Sequence, residues 1–322
     1  MKEAMRAIVV GSANTDLIIH VDKLPPAGNM RVGGGFKSGP GGKGANQAVC
    51  LSKLGVHTQL IARFGGDDFS TVLRNAIADY GVELSSSVID TTATGGVVFI
   101  IVDKGGNNTM VADLGANLSL GAQDVTEAAR QISESDFLLL QFEVPEHANV
   151  KACELAREAG VPVIVNPAPM RSFDLSLLSL VDLFTPNVQE LSEVLGFLEG
   201  APTIGLEERD LHTIGAAARS LLSHGARNIV VTAGISGCVL VNNSGMKTFG
   251  TYSVTQVDST GAGDAFTAGL ALTYAETGDI DRSIQFASAC AALSVTRVGA
   301  IPSMPERDEV ETFMKNNSMG TP

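Results

Sequence analysis

Asp258-Ser259-Thr260-Gly261-Ala262-Gly263-Asp264 sets two carboxylates at the ends of a run of small residues. The run opens the segment Ala265 to Glu276, where Phe266, Leu270 and Tyr274 fall on one face at helical spacing. Tyr252 to Val257 reads as a β-strand leading into it. A glycine-rich helix start leaves the amides of Gly261, Ala262 and Gly263 unpaired, with the positive end of the helix dipole behind them, and such a spot binds anions. A carboxylate beside an anion hole is what phosphoryl transfer to an alcohol requires. The amides hold charge on the moving phosphoryl group, and Asp264 takes the proton from the attacking hydroxyl. The alternative for Asp264 is a plain helix-start residue that complements the dipole.

A second glycine-rich stretch, Gly39-Pro40-Gly41-Gly42-Lys43-Gly44-Ala45-Asn46-Gln47-Ala48, leads into a helix that runs to about Leu54. It is not a P-loop: no glycine stands at the required distance before Gly42-Lys43, and Gly44 replaces the metal-binding Ser or Thr. It is either a flexible turn or backbone left bare for a polyhydroxylated ligand, with Lys43 and Asn46 as hydrogen-bonding partners. Nor is the first strand a dinucleotide fingerprint, since Ala7 to Val10 ends in Gly11 and then Asn14-Thr15-Asp16, without G-x-G-x-x-G.

Asp258 to Asp264 resembles the C-terminal signature of the ribokinase-like (PfkB) family of carbohydrate and nucleoside kinases. Gly41 to Ala48 resembles the N-terminal one, in a form nearest the ribose-phosphorylating members. The resemblance implies ATP-dependent phosphorylation of D-ribose at its 5-hydroxyl, with 2-deoxyribose, another pentose or a nucleoside as the alternative substrate; a catalytically silent sugar-binding regulator is the more distant alternative. It implies Asp264 as base and Gly261, Ala262 and Gly263 as anion hole. Asn14, Asp16, Gly42, Lys43, Gly44, Ala45, Asn46 and Glu143 would bind the sugar. Asn187, Thr232, Ala233, Gly234, Ile235, Ser236, Gly237, Gly263 and Ser288 would face the nucleotide, Ser288 replacing the Asn or His often found in the family. Glu190, in Asn187-Val188-Gln189-Glu190, would orient Mg2+ through water. Asp258, Thr260, Ser294, Arg297, Gly299 and Ser303 would hold a monovalent cation, K+, and shape the anion-hole loop.

These residues must be gathered by the fold. From residue 114 onward strands alternate with helices, the pattern of a mainly parallel α/β sheet flanked by helices on both faces, a three-layer sandwich. Polar groups recur at expected strand ends: Glu143 after Phe137 to Phe142, Asn166 after Val161 to Val165, Asn187 after Leu183 to Thr185, Thr232 after Asn228 to Val231. Open α/β sheets put their crevice on that rim. Two hairpins are expected earlier, Leu17 to Val21 with Met30 to Lys37, and Thr94 to Asp103 with Asn108 to Asp113 around Lys104-Gly105-Gly106-Asn107. They divide the chain into a core of 1–13, 41–92 and 114–322 and a small β-sheet lid of 14–40 and 93–113. A sheet of that size leaves an apolar face uncovered, so a homodimer through the lid is expected.

The 322 residues, 44% hydrophobic, supply ample core. A net charge of −13 argues against nucleic acid or anionic membrane as partners, so any phosphate must be handled locally. The apolar runs are too short to span a bilayer, and Cys50, Cys153, Cys238 and Cys290 lack metal-ligand spacing, as for reduced core residues of a cytoplasmic protein. Glu199 to Arg209 reads as an acidic loop without assigned function, and Asn316 to Pro322 as a frayed tail.

Overall fold

Alternation in the first strand already demands two covering layers. In β1 (Arg6–Val10) Ala7 and Val9 join one buried cluster and Ile8 and Val10 the other, so neither face tolerates water. The computed structural model describes residues 4–105, 108–171 and 173–321. The following strands are β2 (Asn14–His20), β3 (Gly34–Gly41), β4 (His57–Ile61), β5 (Arg63–Gly65), β6 (Val88–Asp90), β7 (Gly96–Val102) and β8 (Asn108–Asp113). After them come β9 (Phe137–Gln141), β10 (Val163–Asn166), β11 (Leu183–Phe184), β12 (Asn228–Thr232), β13 (Cys238–Asn242) and β14 (Gly245–Phe249).

The main sheet has eight strands in the order β14-β13-β12-β11-β10-β9-β1-β4. It is parallel from β4 to β12, and β13 and β14 close that edge antiparallel. One face packs on the helices Lys43–Lys53, Ala262–Thr277 and Ile280–Ser294; the other packs on Glu146–Ala159, Val188–Leu195 and Leu211–Ala218. Among the described residues no helix is long and apolar enough to cross a membrane.

A four-stranded sheet, β3-β2-β7-β8, rises from the rim where β1 ends. Asn14 pairs with both Gly41 and Gly96, so the root of this sheet lies at the start of the helix Lys43–Lys53. Phe36, Phe99, Met110 and Val111 are exposed on it. The tip at Gly106-Asn107 lies outside the described residues.

Three expectations need correction. Tyr252 to Val257 is not a strand. The hairpin β13–β14, absent from the sequence reading, already occupies that sheet edge, and the amides of Val257 and Asp258 instead donate to Val295 O at 2.7 and 3.2 Å. Met30 to Gly33 is not paired either; the strand begins at Gly34 and carries the Gly39-Pro40-Gly41 turn signal inside it. The tail does not fray: Gly320 N–H donates to Thr251 O at 2.9 Å and Met319 packs on the core, Pro322 lying outside the described residues.

Candidate active site

The helix Ala262–Thr277 starts beneath the rim because Gly261 takes a left-handed conformation, φ 80°, that turns the chain from the loop into the helix. A side chain at Gly261 would also crowd Ala300 and Met304, so the loop and the segment after Val295 lock together here. Ala262 N–H donates to Ser259 O at 3.2 Å, which turns it away from an incoming ligand. Gly261 and Gly263 line a cavity of about 200 Å³ together with Lys43, Asn187, Glu190, Thr232 and Asp264. Of the three residues expected to form the anion hole, Gly261 and Gly263 therefore line this cavity.

Asp264, buried in the first turn, is held by two amides. Asn46 Nδ2 donates to Oδ2 at 2.8 Å and Gln47 Nε2 to Oδ1 at 3.0 Å. Gln47 is held in turn, its Oε1 accepting from Gln141 Nε2 at 2.6 Å. Burial pushes the Asp264 carboxyl up, against the pull of the Lys43 ammonium and the two amides. A raised carboxyl suits a proton acceptor that must work near neutral pH. Among the described residues Asn46 Oδ1 is buried with no hydrogen-bond partner.

On the other side Glu143 Oε2 accepts from Ser12 Oγ at 2.5 Å, Asn14 Nδ2 at 3.3 Å and the Lys43 amide at 3.0 Å. Burial, then Glu143 and Asp264, pushes Asp16 up to about 7. Lys43 answers these carboxylates. Burial disfavours its charge, but Asp264, Glu143 and Glu190 together outweigh that and hold it protonated. Gly42 bends the chain at φ 91°, and Gly44 passes so close to Gly11 and Ser12 that a Cβ would stand 2.6 Å from Ser12 N. Gly44 is there for packing. Ala45 is likewise fully buried, its amide bonded to Ser12 O at 2.8 Å, so both support the site from behind.

Asn187 and Glu190 form a reciprocal cap: Asn187 Oδ1 accepts from the Glu190 amide, and Glu190 Oε2 from the Asn187 amide, each at 2.8 Å. Burial raises Glu190, while the Asn187 N–H and Lys43 pull the other way. From Gly263 the crevice continues past Thr232, Gly234, Gly237 and Ser288. It then widens to a cavity of about 790 Å³ lined by Ile235, Ser236, Ser259, Ala262 and Val295. Ala233 is buried beneath it. Arg209, from the loop without assigned function, stands at its edge with His212.

Asp258 ties the two loops together, Oδ1 accepting from Thr260 N–H at 2.9 Å and its hydroxyl at 2.7 Å, and Oδ2 from Gly299 N–H at 2.8 Å. Partial burial pushes its carboxyl up, but these hydrogen bonds prevail and hold it below the usual range. Ser294 and Ser303 are buried on the same segment, their hydroxyls donating to Ala291 O and Ala300 O, and the Arg297 side chain turns away to Glu309.

Sequence reading missed Ser12, Gln47, Asn117 and Gln141. Asn117 braces the small sheet, donating to Asn14 Oδ1 at 2.8 Å and accepting from Ala13 N–H at 2.9 Å. A signal existed for Gln141, the one polar residue in the run Phe137 to Phe142, and for Gln47, next to Asn46 in the glycine-rich stretch.

Residues 5–307 match the family model of pfkB family carbohydrate kinases. The chain is 33% identical over 308 residues to the ribokinase of Haemophilus influenzae, covering 96% of this chain and 98% of that protein. It is 32% identical over 314 residues to the deoxyribokinase of Salmonella typhi, covering 97% and 100%. Among solved structures, Arabidopsis thaliana ribokinase complexed with ribose and ATP matches with a TM-score of 0.86 at 30% identity, over 97% of this chain and 99% of that one. The mixed sheet between two helical layers, with its smaller sheet, is the ribokinase-like fold, and the chain belongs to the pfkB family of carbohydrate kinases.

Proposed function

We propose that the protein transfers the γ-phosphoryl group of ATP to the 5-hydroxyl of D-ribose, giving ribose 5-phosphate and ADP. The observation that carries this is the position of Asp264. It is buried where the cluster of polar side chains Asn14, Asp16, Asn46 and Glu143 meets the helix start and the long crevice. Carboxylates suit a neutral sugar because each accepts from several hydroxyls. Asp264 takes the proton from the 5-hydroxyl as that oxygen bonds to the γ-phosphorus and the bond from the γ-phosphorus to the β,γ-bridging oxygen breaks, the electron pair leaving on ADP. The Gly261 and Gly263 amides and the helix dipole meet the phosphoryl oxygens, and Lys43 adds a fixed positive charge.

Among the described residues no three His, Cys, Asp or Glu side chains cluster to cage a metal. The Asn187–Glu190 cap beside Lys43 and Asp264 fits Mg2+ held by phosphate oxygens and water, with Glu190 as the carboxylate that orients that water. Bound there, Mg2+ would offset phosphate charge. One carboxylate, Asp258, with main-chain and hydroxyl oxygens of Thr260, Ser294, Arg297, Gly299 and Ser303 is a donor set suited to K+, which would set the shape of the anion-hole loop. We take 14–40 and 93–113 as a lid over the sugar, on a core of 1–13, 41–92 and 114–322. The exposed Phe36, Phe99 and Val111, on one face of the small sheet, suit a second copy of this chain.

The similarity to a deoxyribokinase favours 2-deoxyribose as the second reading. A panel of pentoses and nucleosides with ATP, Mg2+ and either K+ or Na+ tests both. Turnover highest on ribose with K+ is expected; turnover confined to nucleosides, or equal with either ion, would refute the sugar or the ion assignment respectively.

A further inference from the structure

The chain does not leave the molecule after its last helix, Arg307–Asn316. Asn317 Nδ2 donates to Phe313 O at 2.9 Å, and Met319 packs on the cluster that contains Tyr252 and Phe313, whose rings lie 5.1 Å apart. Gly320 N–H then donates to Thr251 O at 2.9 Å. A side chain on Gly250 would overlap the Gly320 carbonyl oxygen, so main chain runs directly against main chain. Three separate attachments thus fix a segment whose composition is that of a solvated tail.

What the attachments achieve is a wall. Gly320 and Thr321 border the cavity of about 790 Å³, with Gly250 and Thr251 beside them and Ile235 and Ala291 also lining it. This is the far end of the crevice, beyond Gly234 and Gly263, where neither glycine-rich signature reaches except through Ser259 and Ala262. A triphosphate lying over the helix start would put its base here, against small residues and exposed peptide groups, surfaces a flat heterocycle can approach closely.

We propose that Asn317–Thr321 is a specificity element for the nucleotide, forming one side of the base-binding end of the cavity. The proposal rests on the reading that this crevice takes a nucleoside triphosphate. Without the segment, one side of the base is open to water, and both contact area and shape selection are lost.

The test compares the parent with a chain ending at Asn317 and with full-length Met319→Ser, which loosens the anchor without shortening the chain. ADP affinity is measured by calorimetry, with KM for ATP, GTP and ribose and the thermal midpoint. Both variants are expected to raise the ADP Kd and ATP KM about fivefold or more and to narrow the preference for ATP over GTP. Ribose KM, and kcat at saturating ATP, should stay within about twofold. If the shortened chain does not fold, Met319→Ser decides. A parent that binds ADP alongside variants with unchanged ADP Kd and ATP KM would overturn the proposal while leaving the kinase reading intact. Equal losses for ribose and ATP with a lowered midpoint would overturn it as general loosening. A parent that binds ribose but no nucleotide would remove the reading and the proposal together.

Discussion

Replacing Asp16 by asparagine should make the sugar-free protein more stable, and more so the higher the pH. Asp16 sits in β2 facing Glu143 and Asp264, and burial followed by those two charges moves its carboxyl from 3.8 to about 7. For an acid raised by folding, the sign is opposite to that of a salt-bridged carboxylate. Its stabilising contribution is complete below the unfolded value and drains away as pH rises through the folded one, because the fold prefers the neutral form. Single-site linkage between pH 5 and pH 8 gives a change of about 2.6 kcal/mol, which partial exposure reduces to about 2 kcal/mol. Asp16→Asn keeps the shape and abolishes the titration. Urea denaturation of parent and variant at several pH values, without sugar, measures the difference. The stability gap should widen by about 2 kcal/mol toward the alkaline end, steepest between the unfolded and folded values and levelling off above about 7. A gap that is flat in pH, or that narrows as pH rises, would refute the assignment of Asp16 as a carboxyl whose neutral form is favoured by burial and by its acidic neighbours. Because the ionised form accepts more sugar hydroxyl hydrogen bonds, the parent's sugar KM should also fall as pH rises through about 7.

Three further outcomes follow from the geometry. Gln47→Leu removes a donor to Asp264, so kcat should fall about tenfold to a hundredfold with ATP KM unchanged, and the acid limb of the rate profile should move to higher pH; an unmoved limb would speak against the amide relay. Gly44→Ser would place a Cβ 2.6 Å from Ser12 N and should cost about 1–3 kcal/mol in thermal denaturation, whereas a neutral result would mean the helix can shift away. Val111→Glu on the exposed face of the small sheet should give a monomer in analytical ultracentrifugation, and an unchanged mass would exclude that face as the dimer contact.

Local chemistry and periodicity are legible in the sequence itself. The helix start at Ala262, the two-faced strands and the polar strand ends follow from glycine placement and alternation, and these are short-range features. What escaped reading depends on distant partners. Gln47 and Gln141 are 94 residues apart, and nothing in either neighbourhood says that their amides meet under Asp264. Tyr252 to Val257 has strand-forming residues, yet the sheet edge it would have joined is taken by β13 and β14, and tertiary context overrides propensity. The tail Asn-Asn-Ser-Met-Gly-Thr reads as solvated, and only the docking of Met319 and Gly320 makes it a wall. Gly44 is expected from the sequence to bare backbone for a ligand; the requirement for glycine there that the sequence does not reveal is the approach of Ser12, whose N would stand 2.6 Å from a Cβ.

On the proposed mechanism one buried carboxylate, Asp264, poised between the polar cluster and the helix start, accepts the proton that phosphoryl transfer releases. Single-turnover kinetics of Asp264→Asn with ribose and ATP tests it most directly, since chemistry is then read apart from product release. The phosphoryl-transfer rate should drop about a thousandfold or more while ADP affinity stays within a few fold of the parent. A rate within about tenfold of the parent would contradict the account.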